Sequence, residues 1–284
     1  MPPVARSTPA GRAAARAHGI ALPSADEQAS ARRDRNAVAL MHAARSDAGP
    51  VRPCNEDRWQ ALDGLRFYVI ADGMGGDSAG EVAAELAVAT ACRSITAAAG
   101  DPAVLLAAVA ADCNARIRGY AADHPDCLGM GSTLAACLIA AGGDRVHLAH
   151  VGDSRIYRLR NGALERLTRD HSIGQQIADG RRLSEARIRQ LAARGILTRA
   201  LGVGPAVDAE IATLDWCPAD TLLLCTDGLT DPLPDAVIGT VLTAHAAGGP
   251  AAQADALVVA ALEAGAADNL TALVVRACGA DAVH

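Results

Sequence analysis

"GSTLAACLIAA" (131–141), "DRVHLAHVGDS" (144–154) and "RIYRLRNGALERLT" (155–168) follow one another with almost no chain between them. Each is a short run with apolar residues recurring at close spacing, so the three read as consecutive strands. Asn161-Gly162 divides the last one. Both residues accept positive φ, which makes the pair a strong signal for a tight hairpin turn. Links this short cannot hold a parallel crossover, which needs a dozen or more residues. Antiparallel pairing follows, and with helical stretches on either side the fold class is α+β, in one domain.

The same signals extend outward. "AVALMHAARSD" (37–47) and "LRFYVIAD" (65–72) read as strands. Ser78-x-x-Glu81 has the form of a capping box that starts a helix running to about Ala98. "PAVLLAAVAADCNARIRGYA" (102–121) is a second helix, followed beyond the hairpin by a polar, arginine-rich segment over about 169–205. A strand near 208–214, the apolar strand "TLLLCTDG" (221–228), two helical stretches and a closing strand "NLTALVVRA" (269–277) complete the pattern. Residues 1–36 are rich in Ala, Arg, Pro and Ser without a sustained apolar period, and are expected to form a disordered or weakly ordered tail. That leaves one domain over 37–278 and a C-terminal tail over 279–284.

Composition excludes several classes of function. The net charge is −6 and no basic stripe with interleaved aromatics occurs, which argues against a nucleic-acid binder. All 26 basic residues are arginine. The eight cysteines include no Cys-x-x-Cys, and no His-x-x-x-His suggests zinc; Cys137 and Cys225 are expected as buried thiols. The longest stretch without charge, Ala236 to Ala254, contains His245, Gly248, Gly249 and Pro250 and does not span a membrane. No signal peptide is read at the N-terminus, so a cytoplasmic protein is expected. A monomer is the expected state.

The chemistry is carried by acids. "IADGMGGDSAGE" (70–81) ends an apolar run on Asp72 and then spends four glycines before a helix. Glycine-rich turns in this position often cradle phosphate. A Walker loop needs Gly-Lys-Ser/Thr, however, and the chain has no lysine; a dinucleotide site would not place an anion at position 72. Asp72 wants a cation. Asp153 in "VGDSR", Asp227 in "CTDGLTD" and Asp268 in "ADNLTALVV" also fall at predicted strand ends. Stacked strands bring their ends to a common rim, where several carboxylates repel one another unless a divalent cation sits among them. Oxygen donors without soft ligands point to Mg2+ or Mn2+. Gly73 lets a backbone carbonyl turn toward such an ion. Any single Asp-Gly is common turn chemistry; four strand-end acids favour metal binding.

Eight pieces in order, "RSDAGPVRPCNED" (45–57), "ADGMGGDSAGE" (71–81), "GMGSTL" (129–134), "VGDSRIY" (151–157), "LTRDHS" (167–172), "LTRALG" (197–202), "LLLCTDGLTD" (222–231) and "DNLTALVV" (268–275), resemble the PP2C-type (PPM) metal-dependent protein serine/threonine phosphatases in their compact bacterial form. The resemblance covers about residues 38–278. It implies an α-β-β-α sandwich of two antiparallel sheets with a binuclear Mn2+ or Mg2+ centre at one edge. Carried over by position, Asp72 bridges both metals and the Gly73 carbonyl binds one. Asp227 and Asp268 hold the first metal, and Glu56 and Asp57 serve the second, directly or through water. Asp153, with Asp227, matches the acids of a third, weaker metal. Arg52 matches the arginine that grips the substrate phosphate, and residues 169–198 correspond to a flap beside the site. The implied reaction is in-line attack on phosphoserine or phosphothreonine by metal-activated water, with no phospho-enzyme and no role for cysteine.

The chain departs from some relatives at Met74, where they carry a histidine proposed as proton donor; His171 or a metal-bound water remains, with water preferred. Cys54 adjoins the acids of the first motif, which would raise its thiol pKa. His42, His147 and His150 are expected as core or surface fillers. The implied partners are phosphoproteins, a serine/threonine kinase and its targets among them. The rivals are a pseudophosphatase and a phosphohydrolase of small molecules or nucleotides; intact acids weigh against the first, and the scarcity of aromatics for base stacking against the second.

Overall fold

The computed structural model describes residues 38–75, 79–184, 187, 191 and 195–277. The expected N-terminal tail, the expected C-terminal one and Ser78 of the capping box lie outside the described residues.

Two antiparallel sheets form the centre. The first has the strand order β1 (Leu40–Asp47), β11 (Leu270–Ala277), β10 (Thr221–Cys225), β7 (Arg155–Arg160), β8 (Ala163–Arg166). The second runs β2 (Asp57–Leu62), β3 (Phe67–Met74), β5 (Leu134–Ile139), β6 (Arg145–Val151), β9 (Glu210–Asp215), with the two-residue β4 (Gly131–Ser132) against the end of β3. Every pairing is antiparallel. The β7–β8 hairpin turns at Asn161 (φ 51°) and Gly162 (φ 79°), the two positive values a type I′ turn requires.

Helices cover both outer faces. α1 (Ala79–Ala97) and α2 (Pro102–Asp123) pack on the second sheet. α3 (Ile173–Arg181) and a single turn, α4 (Asp227–Thr230), follow; α5 (Asp235–Ala244) and α6 (Gly249–Glu263) pack on the first sheet. The period-2 pattern of the strands divides the core into layers. Phe67, Val69 and Ala71 face α1 and α2, while Tyr68 and Ile70 face the other sheet. In β10, Leu222 and Leu224 point between the sheets and Leu223 and Cys225 toward α5 and α6. A strand buried on both faces must be apolar throughout, which is why "TLLLC" shows no alternation. The layers are helix, sheet, sheet, helix, as the sequence led us to expect.

Three expectations shift. The strand expected over 221–228 ends at Cys225, and Asp227–Thr230 forms a helical turn. β1 starts at Leu40, opposite Ala277, the last residue of its partner strand. β2 was not anticipated: it opens on Asp57-Arg58 and runs along a sheet edge, so its sequence lacks an apolar signal.

Candidate active site

The strand ends do converge. Asp72 and Gly73 lie near the end of β3, Asp153 follows β6, Asp227 follows β10 and Asp268 precedes β11. Together with Arg52 and Glu56, from the loop between β1 and β2, all of them line one cavity of about 440 Å3. Asp57 lies behind its wall, opposite Asp72 in the β2–β3 register. The Thr226 and Thr271 hydroxyls donate to Asp57 Oδ2 (2.8 and 2.7 Å), and Oδ1, though buried, has no hydrogen-bond partner among the described residues.

The backbone geometry here tolerates nothing larger than glycine at two points. A Cβ on Gly73 would stand 1.9 Å from the Gly80 carbonyl oxygen and 3.0 Å from that of Glu56. One on Gly228, next to Asp227, would stand 2.0 Å from the Asn269 carbonyl oxygen. Thr133 fixes the backbone of Asp72: Asp72 N–H donates to its hydroxyl (2.9 Å), its own N–H donates to Asp72 O (2.9 Å), and its hydroxyl bonds the buried Ser154 hydroxyl (2.7 Å). Asn269 orders the loop carrying Arg52 and Glu56. Its Nδ2 donates to the Ala48 and Cys54 carbonyls, and its Oδ1 accepts from Glu56 N–H, each at 2.8 Å. Arg58 bonds Glu85 (2.9 Å) and Glu81, tying β2 to α1 and neutralising two further acids. Sequence reasoning assigned no role to Thr133, Ser154, Asn269 or Arg58, although the first three lie inside quoted motifs.

The electrostatics explain what the cavity asks for. Burial, then the charges of Asp57, Asp227, Asp153 and Asp268, pushes the Asp72 carboxyl well above the usual range. Burial and the charges of Asp153, Asp231, Asp268 and Asp57 do the same to Asp227. Burial, followed by Asp170, raises Asp153 to about 7; burial raises Asp57 to about 6, against its two threonine bonds. Glu56 is also raised by burial. Arg52 Nη2 bonds Asp268 Oδ2 at 2.7 Å and Arg199 pairs with Asp208 at 3.3 Å, so neither arginine of the cavity is paired with Asp72 or Asp227. Crowded hard oxygens, a buried carboxylate oxygen without a partner and mutually repelling acids fit a divalent oxygen-seeking cation.

Met74 lines the cavity. Cys54 is raised by burial first, then by Glu56 and Glu81, and is not an activated thiol. His171 does not line the cavity; burial, His150 and Arg199 depress it to about 4, so it is neutral at pH 7 and has no proton to give as an imidazolium. Of the expected flap, Gly195, Leu197 and Thr198 reach the cavity wall, as does Arg199 just beyond it, while parts of 185–194 lie outside the described residues. His42 bonds Asp63 (2.9 Å) and His147 bonds Thr213 (2.9 Å), both as fillers.

A two-sheet sandwich that gathers acids from four strand ends around one cavity defines a protein built for divalent cations. Comparison with known proteins gives the family. The Protein phosphatase 2C family profile matches residues 52–247. The serine/threonine protein phosphatase PstP of Mycobacterium tuberculosis is 38% identical over 238 residues, which span 84% of this chain and 45% of PstP, so the chain spans under half the length of that relative. The serine/threonine phosphatase Stp of Listeria monocytogenes is 36% identical over 245 residues, spanning 83% of this chain and 96% of Stp. The solved catalytic domain of PstP in complex with two manganese ions superposes with a TM-score of 0.75 at 37% identity, covering 84% of this chain and 99% of that one. The chain belongs to the protein phosphatase 2C family.

Proposed function

We propose that the chain is a protein serine/threonine phosphatase with a binuclear Mn2+ or Mg2+ centre, acting on phosphoserine and phosphothreonine and opposing a serine/threonine kinase. The observation that carries this reading is the cavity itself, where Asp72 and Asp227 are half-buried, mutually repelling and unpaired with any cation among the described residues. Asp72 would be shared by both metals and the Gly73 carbonyl would serve one of them, with Asp227 and Asp268 on the first. Glu56 and Asp57 would serve the second, Asp57 through its partnerless Oδ1 or an intervening water. Asp153, with Asp227, would hold a weaker third ion.

When bound, such ions supply Lewis acidity and lower the pKa of a coordinated water toward neutrality. Everything else is done by the chain. Arg52, half exposed at the rim, exchanges Asp268 for the substrate phosphate once that carboxylate is otherwise engaged, and offsets charge on the phosphoryl oxygens. Thr133 holds the Asp72 backbone in place, and Asn269 holds the loop that carries Arg52 and Glu56. Leu197 and Val203 add apolar surface to the cavity wall.

The manganese bound by the PstP catalytic domain supports the cofactor, and the names of PstP and Stp support phosphoprotein substrates. No helix among the described residues is long and apolar enough to cross a membrane, in keeping with a cytoplasmic enzyme. We take residues 37–278 as the catalytic domain, flanked by tails and active as a monomer. The test is hydrolysis of phosphoserine and phosphothreonine peptides against nucleotides, with Mn2+ and with EDTA. Metal-dependent turnover on the peptides is expected. Preference for nucleotides, or activity that survives EDTA, would overturn the reading.

A further inference from the structure

Three donors meet away from the acid-lined cavity. His150 on β6 stands directly opposite Glu210 on β9 in the strand register. His171, in the connection between β8 and α3, lays its ring 4.7 Å from that of His150, centroid to centroid. Glu210 Oε2 lies 3.7 Å from His150 Nδ1 and 3.5 Å from His171 Nε2, and one donor atom from each residue falls within 4.8 Å of the others. None of these distances is a good hydrogen bond.

His150 makes the cluster unusual. It is 1% exposed, and neither ring nitrogen has a hydrogen-bond partner among the described residues. Burying two unsatisfied polar atoms is costly, and native structures rarely leave such groups without a reason. A bound ion at Nδ1 removes part of that cost. Glu210 is 41% exposed by side chain, which gives an ion a way in.

We propose that His150, His171 and Glu210 form a second metal site, for a transition ion of zinc-like chemistry, separate from the acid-lined cavity. Two imidazoles and one carboxylate with a fourth position open to water match the ligand preferences of Zn2+, whereas Mg2+ and Mn2+ prefer all-oxygen surroundings such as the cavity offers. Small adjustments of side chains bring the donor atoms to coordination distance. Two groups oppose loading. Arg199 Nη1 lies 3.3 Å from His171 Nε2 and must swing toward Asp208, where its Nη2 already stands 3.3 Å from the carboxylate. Gly152 N–H donates to His171 Nδ1 at 3.2 Å, a long bond that is lost when the ring proton moves to Nδ1. Both are local changes at a rim and at a glycine with φ +104°.

The test uses Co2+ as the spectroscopic probe on full-length protein carrying Asp72→Asn and Asp227→Asn, which disables the cavity without touching the cluster. One equivalent of cobalt with the intense visible bands of tetrahedral, imidazole-bound Co2+ is expected. Added Zn2+ should displace it. Glu210→Gln, on the exposed edge strand, and His150→Asn, with folding checked by circular dichroism, should each weaken cobalt binding by more than the roughly tenfold that loss of an outer-shell partner alone costs. A spectrum of weak octahedral type only, or unchanged affinity and spectrum in Glu210→Gln, overturns the proposal. If His150→Asn fails to fold, the Glu210→Gln result decides alone.

Discussion

Asp153→Asn is expected to stabilise the metal-free protein at mildly alkaline pH while removing most of its turnover. Asp153 is 9% exposed, and burial with Asp170 nearby raises its carboxyl from 3.8 to about 7. At 1.36 kcal/mol per pH unit, keeping it ionised in the folded, metal-free chain costs about 4 kcal/mol. Relaxation and water entry reduce such figures, so about 2 kcal/mol is the realistic gain on removing the charge. For a domain of this size that corresponds to a rise in Tm of about 4–8 °C.

The pH dependence fixes the sign. Because the folded pKa lies above the unfolded one, the native state binds more protons between about pH 4 and 7, and stability falls as pH rises through that window. The advantage of asparagine is therefore full at about pH 8 and falls to about a third of that value by about pH 5, where wild-type Asp153 is protonated when folded. Thermal melts in EDTA at both pH values give the measurement. A variant no more stable than wild type at the higher pH, or an equal gain at both, would refute the reasoning. In saturating Mn2+ the same variant should keep two tightly bound ions by calorimetry, and its kcat should fall more than its KM moves, as expected when an interaction matters chiefly in the transition state.

Gly73→Ala drives a Cβ to within 1.9 Å of a backbone oxygen, so it should lower Tm by well over the several degrees of an ordinary core substitution and abolish Mn2+ binding, both checked by melts and calorimetry. Thr133→Val removes the hydroxyl that serves Asp72 N–H and Ser154; we expect a loss of about 1–3 kcal/mol in stability and a weakening of Mn2+ affinity of about 10–100-fold. Arg52→Ala should raise KM for phosphopeptides and lower kcat/KM. It should leave Mn2+ affinity unchanged or tighter, because Asp268 loses its competing partner; weaker metal binding would contradict the proposed exchange.

The acids were legible because their positions are punctuation. An aspartate where an apolar run ends or begins, set beside small residues, marks a point where the chain leaves or enters the core, and antiparallel order lets the exit of one strand and the entry of the next meet along one edge. Asp72, Asp153, Asp227 and Asp268 could thus be grouped from sequence, and the cavity does gather them. Asp57 could not be distinguished from Glu56 in this way. Whether a side chain points into a cavity or behind its wall depends on strand parity, and β2 was invisible because an edge strand opening on two charges lacks an apolar signal. The supporting polar residues were hidden for a different reason. Thr133 and Asn269 act through backbone groups far away in sequence, 61 residues for Thr133 with Asp72 and 213 for Asn269 with Glu56, and Ser154 through the Thr133 hydroxyl 21 residues away; no local spacing encodes such partners. The histidines show the same limit in sharper form. His150 alternates into its strand like any filler, and only the pairing of β6 with β9 and the return of the chain at His171 turn three unrelated residues into one cluster. Burial without a partner is a property of the assembled molecule, and it is what separates His150 from His147, three residues earlier on the same strand and bonded to Thr213.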